Sequence, residues 1–457
     1  MQGVSAALCS AVADIGYRDL PAEVTRTIRL LVLDTLGLIA GAARAPGIGS
    51  LNQRLAKWEP GGCSTGLIGK RRYSPPTAAL ANGAAAHALD FDDLHDRARV
   101  HTSAVILPAL LAAVEDIGAV SGEDFITAMS IGAEVHARLG LACWNSLGKG
   151  WHPTMVFGTL AGSLAVAKLL KLDKAEMGHA LGMAFHQASG SAQSMRDGAL
   201  SKRLGAGFAA RSAVLSGFLA ADGLDSTVRT LEGNAGLFSL YERDEVKPEE
   251  ILADFGSHWH VPEYSFKPFP GCRANHTVIG LGIELNKAGI RPEDISVIEV
   301  RVSKLNFMTI GEKYDVSRNS VVHAQFNAAY SFARALTDGR VDLRSYERPY
   351  ITEARIAALA QRTEVRPDEM VDERAIEPAR VRIRLTNGGE KFAESMTMPG
   401  SPDSPMSESD FLRKFHNCVE SGLGQPASAV APLIEDIKRL ESLPDVRTLI
   451  AKFPVSA

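Results

Sequence analysis

No CxxC pair occurs anywhere in the 457 residues, and the five cysteines (Cys9, Cys63, Cys143, Cys272 and Cys418) are odd in number and scattered. That argues against a disulfide framework and against a zinc knuckle, and it points to a reducing cytoplasm. An excess of one charge sign is missing too. The net charge is −4, so no broad basic field exists to attract nucleic acid or an anionic membrane. The opening MQGVSAALCSAVADIGYRDL lacks the basic start and apolar centre of a signal peptide. Nor is there an uninterrupted apolar run of about 18 residues, so no membrane-crossing helix is expected. What remains is the composition of a soluble globular chain, 46% hydrophobic and 22% charged, long enough for about two to three domains.

Helical patterning fills the first half. Residues 5–42 read as two helices, with Pro21 at a first helical position and Ile28, Leu31, Val32, Leu36 and Ile39 at helical spacing. Gly61-Gly62 and Pro75-Pro76 mark loops. Ser121-x-x-Asp124 and Asp173-x-x-Glu176 open helices as capping boxes. Residues 175–222 are rich in Ala, Gly and Ser, as in helices packed backbone to backbone, and no convincing strand occurs up to residue 222. The texture changes at SHWHVPEYSFKPFPG (257–271), which sets a boundary. Beyond it come a helix near 274–288, an alternating strand with Ile298, Val300 and Val302 on one face, and a helix at 323–337. Then ARVRIRLTNGGEKFAESMTM predicts a hairpin with a primed turn at Asn387-Gly388. The fold expected is mainly α. A large all-helical domain takes 1–264 plus 403–457, and a smaller α+β lid domain takes 265–402.

One stretch is chemically out of place. ANGAAAHALDFDDLHDRARVHTSAVILPAL (81–110) breaks an Ala-rich helix with Asp90, Asp92, Asp93, His95, Asp96 and His101 before an apolar helix resumes. Unpaired charge of that density is costly to bury unless a site uses it. A solvated acidic loop is the plain alternative. Further candidates are His152, just before Pro153 at a helix start; Lys202, a long cation in a small-residue helix; and Lys267, in the proline-flanked boundary loop. Lysines there suit an anionic substrate, and histidines with carboxylates suit proton transfer near neutral pH. Asp92, Asp93, His95 and His101 carry ligand atoms for a divalent ion, but their spacing fits no standard site, so no metal is assigned. Gly205–Ala210 matches a loose dinucleotide fingerprint, yet no strand precedes it. His136 reads as a core histidine.

NGAAAHALDFDDLH followed by His101 resembles the signature of the MmgE/PrpD family. So do GWHPTMVFGTLAG, SKRLGAGFAARSAVLSGFLA, FKPFPGCRANH and AQFNAAYSFARALTDG, in the family's order and over nearly the whole chain. That family includes 2-methylcitrate dehydratase, cis-aconitate decarboxylase and iminodisuccinate epimerase. The resemblance implies an enzyme without metal or organic cofactor, a small polycarboxylate substrate, and a homodimer of a helical domain with a lid. It carries catalytic roles onto Asp90, His101 and His152, and substrate binding onto Lys202, Lys267, Asp93, His95 and Tyr330. The Leu94-His95 pair looks closer to the fungal decarboxylases than to typical methylcitrate dehydratases, and Leu94 stands where many members carry threonine. The expected function is a lyase acting beside a carboxylate, with His101 moving the proton, Asp90 orienting a histidine and His152 touching substrate. An epimerase in the same cleft, a metal-dependent hydrolase and a non-catalytic binding protein are the alternatives.

Overall fold

The computed structural model describes residues 3–456, and helices dominate it. The first half runs through α1 (Val4–Asp14), α2 (Ala22–Gly41), α3 (Ile48–Trp58), α4 (Pro75–Ala86), α5 (Ser103–Ile117), α6 (Gly122–Ala142), α7 (Pro153–Leu169), α8 (Lys174–Phe185) and α9 (Leu204–Ala221). Pro75-Pro76, expected in a loop, instead opens α4, because a proline at the first helical turn loses no hydrogen bond and already has a helical φ. Helices α4, α5, α7 and α9 pack on one another, and α6 lies against α7. The 22-residue run Leu200–Ala221 has a mean hydropathy of 1.4 and is long and apolar enough to cross a membrane, contrary to the expectation from the sequence. Here it is a bundle helix, with Ala206, Ala210, Ala213 and Val214 fully buried.

The crossing of α4 over α9 depends on two glycines. A Cβ on Gly207 would lie 2.4 Å from the Leu80 carbonyl oxygen, and one on Gly83 would lie 2.8 Å from Gly207 Cα. Backbone cannot yield as a side chain can, so Gly207→Ala is expected to cost about 1–3 kcal/mol by overpacking. A thermal-unfolding midpoint equal to the parent's would show that the helices separate without penalty.

Two short ribbons correct the strand-free reading of the first half. β1 (Ser64–Gly66) pairs with β2 (Arg71–Tyr73), and β3 (Leu94–His95) pairs with β4 (Tyr264–Ser265), each antiparallel. The second ribbon ties the Asp/His stretch to the boundary loop, with Leu94 opposite Ser265 and His95 opposite Tyr264. Past it lies a mixed sheet in the order β6-β5-β7-β8, formed by β5 (Ile295–Val302), β6 (Thr363–Pro367), β7 (Ala379–Leu385) and β8 (Glu390–Ser395). β5 and β6 run parallel and the other pairs antiparallel. Ile298, Val300 and Val302 share the buried face of β5 with Val381 and Ile383 of β7. Helices α10 (His276–Lys287) and α11 (Ala328–Asp338) pack on each other and against the sheet.

Two local expectations fail for identifiable reasons. A primed turn needs positive φ at its first central residue, but Gly388 has it (φ 85°) and Asn387 does not. The Leu385 carbonyl instead accepts from Gly388 N and the Gly389 carbonyl accepts from Leu385 N, the pattern of a three-residue loop with a glycine bulge. The helix expected at 323–337 is broken after Gln325, because Asn327 leaves helical geometry to cap α11, its Oδ1 accepting from Tyr330 N at 2.9 Å.

The hydrophobic side chains form two principal cores. One gathers residues from α1 through Phe266 and is completed by Phe411, Phe415 and Val419 of α12 (Glu408–Leu423) and by the helices after it. The other gathers α10, α11 and the inner face of the sheet. Their junction is where the Asp/His stretch lies.

Candidate active site

Chain geometry sets the site before any side chain does. After α4 ends at Ala86, Asp90 adopts a left-handed conformation (φ 52°), which Asp tolerates better than most residues. Its carbonyl accepts from Gly271 N at 2.9 Å, which pins the turn against the boundary loop. Lys267, two residues past β4, is fully buried and donates to both the Asp90 carbonyl (2.9 Å) and Asp90 Oδ1 (3.1 Å). Lys202, in the 3-10 turn that leads into α9, reaches the same Oδ1 at 3.1 Å. Two buried ammonium groups thus share one carboxylate oxygen. Burial alone would raise the Asp90 pKa, but Lys202 and Lys267 outweigh it and hold that carboxyl well below its usual range. Burial opposes the charge of Lys267, yet Asp90 and Asp92 leave its pKa above the usual value.

Beside this trio runs a second chain of contacts. Lys202 Nζ lies 3.3 Å from His87 Nε2, and His87 Nδ1 lies 2.7 Å from Asp92 Oδ2. Those partners assign the tautomer: Nε2 accepts from the ammonium and Nδ1–H donates to the carboxylate. His101 Nδ1 stands 3.2 Å from the same Asp92 oxygen, close enough for attraction but not aligned as a good hydrogen bond. Its ring lines the cavity, so Nε2 is the nitrogen left for a ligand. Asp92, not Asp90, is therefore the carboxylate that positions a histidine, which corrects the role expected from the sequence. His87 was missed by sequence reasoning; the signal available was an imidazole at the end of α4, five residues before Asp92.

His152 caps α7 ahead of Pro153, and its Nδ1 is buried without a partner. Burial first, then His87, Lys202 and His101, push its pKa well below the usual value, so the ring is neutral. Asp90, His101, His152, Lys202 and Lys267 all line one cavity of about 100 Å³. Arg273, also missed, lines it as well. Its guanidinium is held by Asp96 at 3.2 and 3.4 Å and by the Pro399 carbonyl at 2.5 Å. Cations thus outnumber the single acid, Asp90, on the cavity wall, which favours a ligand with several negative charges.

Three predicted residues lie elsewhere. Asp93 accepts from Thr102 N (3.0 Å) and Ser103 N (3.3 Å), so it holds the start of α5. His95 turns away to Tyr264 and Glu263, its Nε2 lying 3.3 Å from Glu263 Oε2. Tyr330 is buried in the second core against Tyr314 and Tyr346, and its hydroxyl donates to the Ser345 carbonyl. The ligand atoms of His87, Asp92 and His101 lie within 4.8 Å of one another, as do those of His95, His260 and Glu263. In the first set both imidazoles approach one carboxylate oxygen, His87 as a hydrogen-bond donor, and the Lys202 ammonium beside His87 opposes a further cation.

Burial of these rings makes the fold sensitive to acid. His87 is pushed down to about 4 and His136 to about 3, in both cases chiefly by burial. Each binds its proton on unfolding, so this stability is fully present above pH ~6.5 and is lost progressively as pH falls below that value. Asp93, raised to about 6 by burial and by Asp92, works in the opposite sense over pH 4–6. The buried imidazoles, His152 among them, outnumber the one raised acid, so a net loss of stability is expected between pH 7 and pH 5. A thermal-unfolding midpoint that stays level or rises over that interval would contradict it.

A family model described as the MmgE/PrpD N-terminal domain matches residues 6–249, and the MmgE/PrpD C-terminal domain matches residues 269–438. Cis-aconitate decarboxylase of Aspergillus terreus is 29% identical over 98% of this chain and 95% of its own length. Cis-aconitate decarboxylase-like protein oryM of Aspergillus oryzae is 28% identical, covering 98% and 96%. Cis-aconitate decarboxylase of Homo sapiens is 26% identical, covering 99% and 95%.

Proposed function

The chain belongs to the MmgE/PrpD family, and from that premise we propose that it is a lyase for a small di- or tricarboxylate, of the cis-aconitate decarboxylase or 2-methylcitrate dehydratase type, working without metal or organic cofactor. The observation that carries this reading is the convergence of Lys202, Lys267, His101 and His152 on one cavity beside Asp90. The similarity to decarboxylases over nearly full length supports the decarboxylating form.

An ammonium has three donors. Lys267 spends two on Asp90, and Lys202 spends one on Asp90 and one on His87, so each keeps one for a substrate carboxylate. In decarboxylation of a β,γ-unsaturated acid, the bond to the departing carboxylate breaks and CO2 leaves. Its electron pair forms a new double bond, and the former alkene pair moves to the carbon beside a retained carboxylate. That charge is stabilised by the fixed cations, and a proton delivered to the carbon completes the product. His101 Nε2 supplies the proton, with Asp92 Oδ2 3.2 Å from Nδ1 on the far side of the ring. His152, neutral, touches the substrate at the N-terminal end of α7, where an anion is favoured.

Incubation with citrate, 2-methylcitrate, cis-aconitate and iminodisuccinate, followed by proton NMR, tests the reading. CO2 release or loss of water is the expected result, and turnover of none would overturn it. The second reading, an epimerase, draws on the two imidazoles that line one cavity. Exchange of one carbon-bound proton for deuterium with no change in composition would select it.

A further inference from the structure

Lys202, Lys267, Arg273 and Arg99 all line the cavity. The two lysines are matched by Asp90 and Arg273 by Asp96. Arg99 is matched by no carboxylate. Among the described residues its side chain makes one hydrogen bond, from a terminal nitrogen to the Arg374 carbonyl at 2.9 Å. Asp96 and Glu377 attract it only from beyond ion-pair distance. Most donors of the guanidinium fork are therefore unengaged, on a half-buried residue at the cavity wall.

The backbone there is strained. Arg99 has a left-handed φ of 61°, uncommon for a side chain of its size. The turn that imposes it is closed by His95, whose carbonyl accepts from Arg99 N at 2.8 Å and whose N donates to the Val100 carbonyl at 3.0 Å. Strain of this kind gathers at ligand clamps. A contact to one carbonyl does not call for a charge, since any neutral donor would make it. Keeping the charge half-buried without a counter-ion is unfavourable until an anion arrives. The carbonyl it holds belongs to a segment that reaches across the junction of the two cores. Arg374's own guanidinium lies 4.3 Å from the Trp144 ring centroid and donates to the Trp144 carbonyl at 3.0 Å, just past α6. Ile376, two residues on, is part of the cavity wall.

We propose that Arg99 is a specificity-determining residue. It takes a substrate carboxylate beyond those held at Lys202 and Lys267, and ties it to the Arg374 carbonyl across the junction. This rests on the polycarboxylate reading above.

The test is binding of three saturated acids, measured by titration calorimetry. They are propane-1,2,3-tricarboxylate, glutarate (the same skeleton without the central carboxylate) and methylsuccinate (without one terminal carboxylate). Arg99→Gln is expected to weaken binding of the tricarboxylate about 10- to 100-fold. At least one diacid, the one lacking the carboxylate that Arg99 takes, should bind variant and parent alike. Arg99→Lys keeps the charge but not the fork and should recover part of the loss. Arg374→Ala keeps the carbonyl and removes the Trp144 contact, so its effect should fall equally on all three acids. Equal weakening of all three by Arg99→Gln, or undiminished tricarboxylate binding, would overturn this inference and leave the lyase reading standing. A parent that binds none of the three would overturn the polycarboxylate reading and this inference with it.

Discussion

His101→Ala is expected to lower turnover by ~10²–10⁴-fold, the usual size of a general acid–base contribution. The ring lines the cavity, so removing it widens a space that already exists instead of opening a new void in the core. Asp92 keeps its stronger contact, His87 Nδ1 at 2.7 Å, and the local fold survives. The loss should therefore fall on kcat with the unfolding midpoint nearly unchanged. If His101 were only a packed core residue, the pattern would reverse, with a lower midpoint and normal activity in the folded fraction. Turnover and thermal unfolding measured on one preparation separate the two, and near-normal turnover in a stable variant would refute the assigned role.

Asp90→Asn is expected to be the most destabilising conservative change at the site. Asn keeps the shape and tolerates the left-handed backbone at φ 52°, so the substitution isolates the charge. It leaves Lys202 and Lys267 buried around a neutral amide. Breaking a buried pair by removing one partner costs about 3–5 kcal/mol, which corresponds to roughly 3–5 °C in midpoint for a chain of this size. A bound polycarboxylate restores negative charge beside both lysines. Citrate should accordingly raise the midpoint of the variant more than that of the parent. Equal midpoints for variant and parent without ligand would mean that the lysines are already neutral or solvated, and the electrostatic account of the cavity would fail.

The sequence exposed the residue types at the site better than their partnerships. His101, His152, Lys202 and Lys267 stood out because each is polar within an apolar or small-residue context, and all four line the cavity. Asp93 and His95 stood out on the same grounds but serve α5 and Glu263, since periodicity reports that a polar group is buried and not what it meets. Glu263 comes to His95 only through the β3–β4 ribbon, which no local pattern announces. Arg273 was hidden for the same reason: its partner Asp96 is 177 positions away in sequence. The helical half and the alternating strands were legible because their signals are periodic. The Asn387-Gly388 turn was placed correctly but typed wrongly, because one residue's φ decides between two turns with the same signature.

The return of α12 to the first core has a consequence for the order in which the molecule can be made. Phe415 lies against Gly37, with no room for a Cβ there, and a Cβ on Gly422 would meet the Ala40 carbonyl. Helix α2 therefore keeps an open apolar seam until a segment synthesised after the whole second core arrives to close it. Contacts that span so much chain form late and slowly. While translation proceeds, the helical half waits with that seam exposed, a natural binding place for a chaperone.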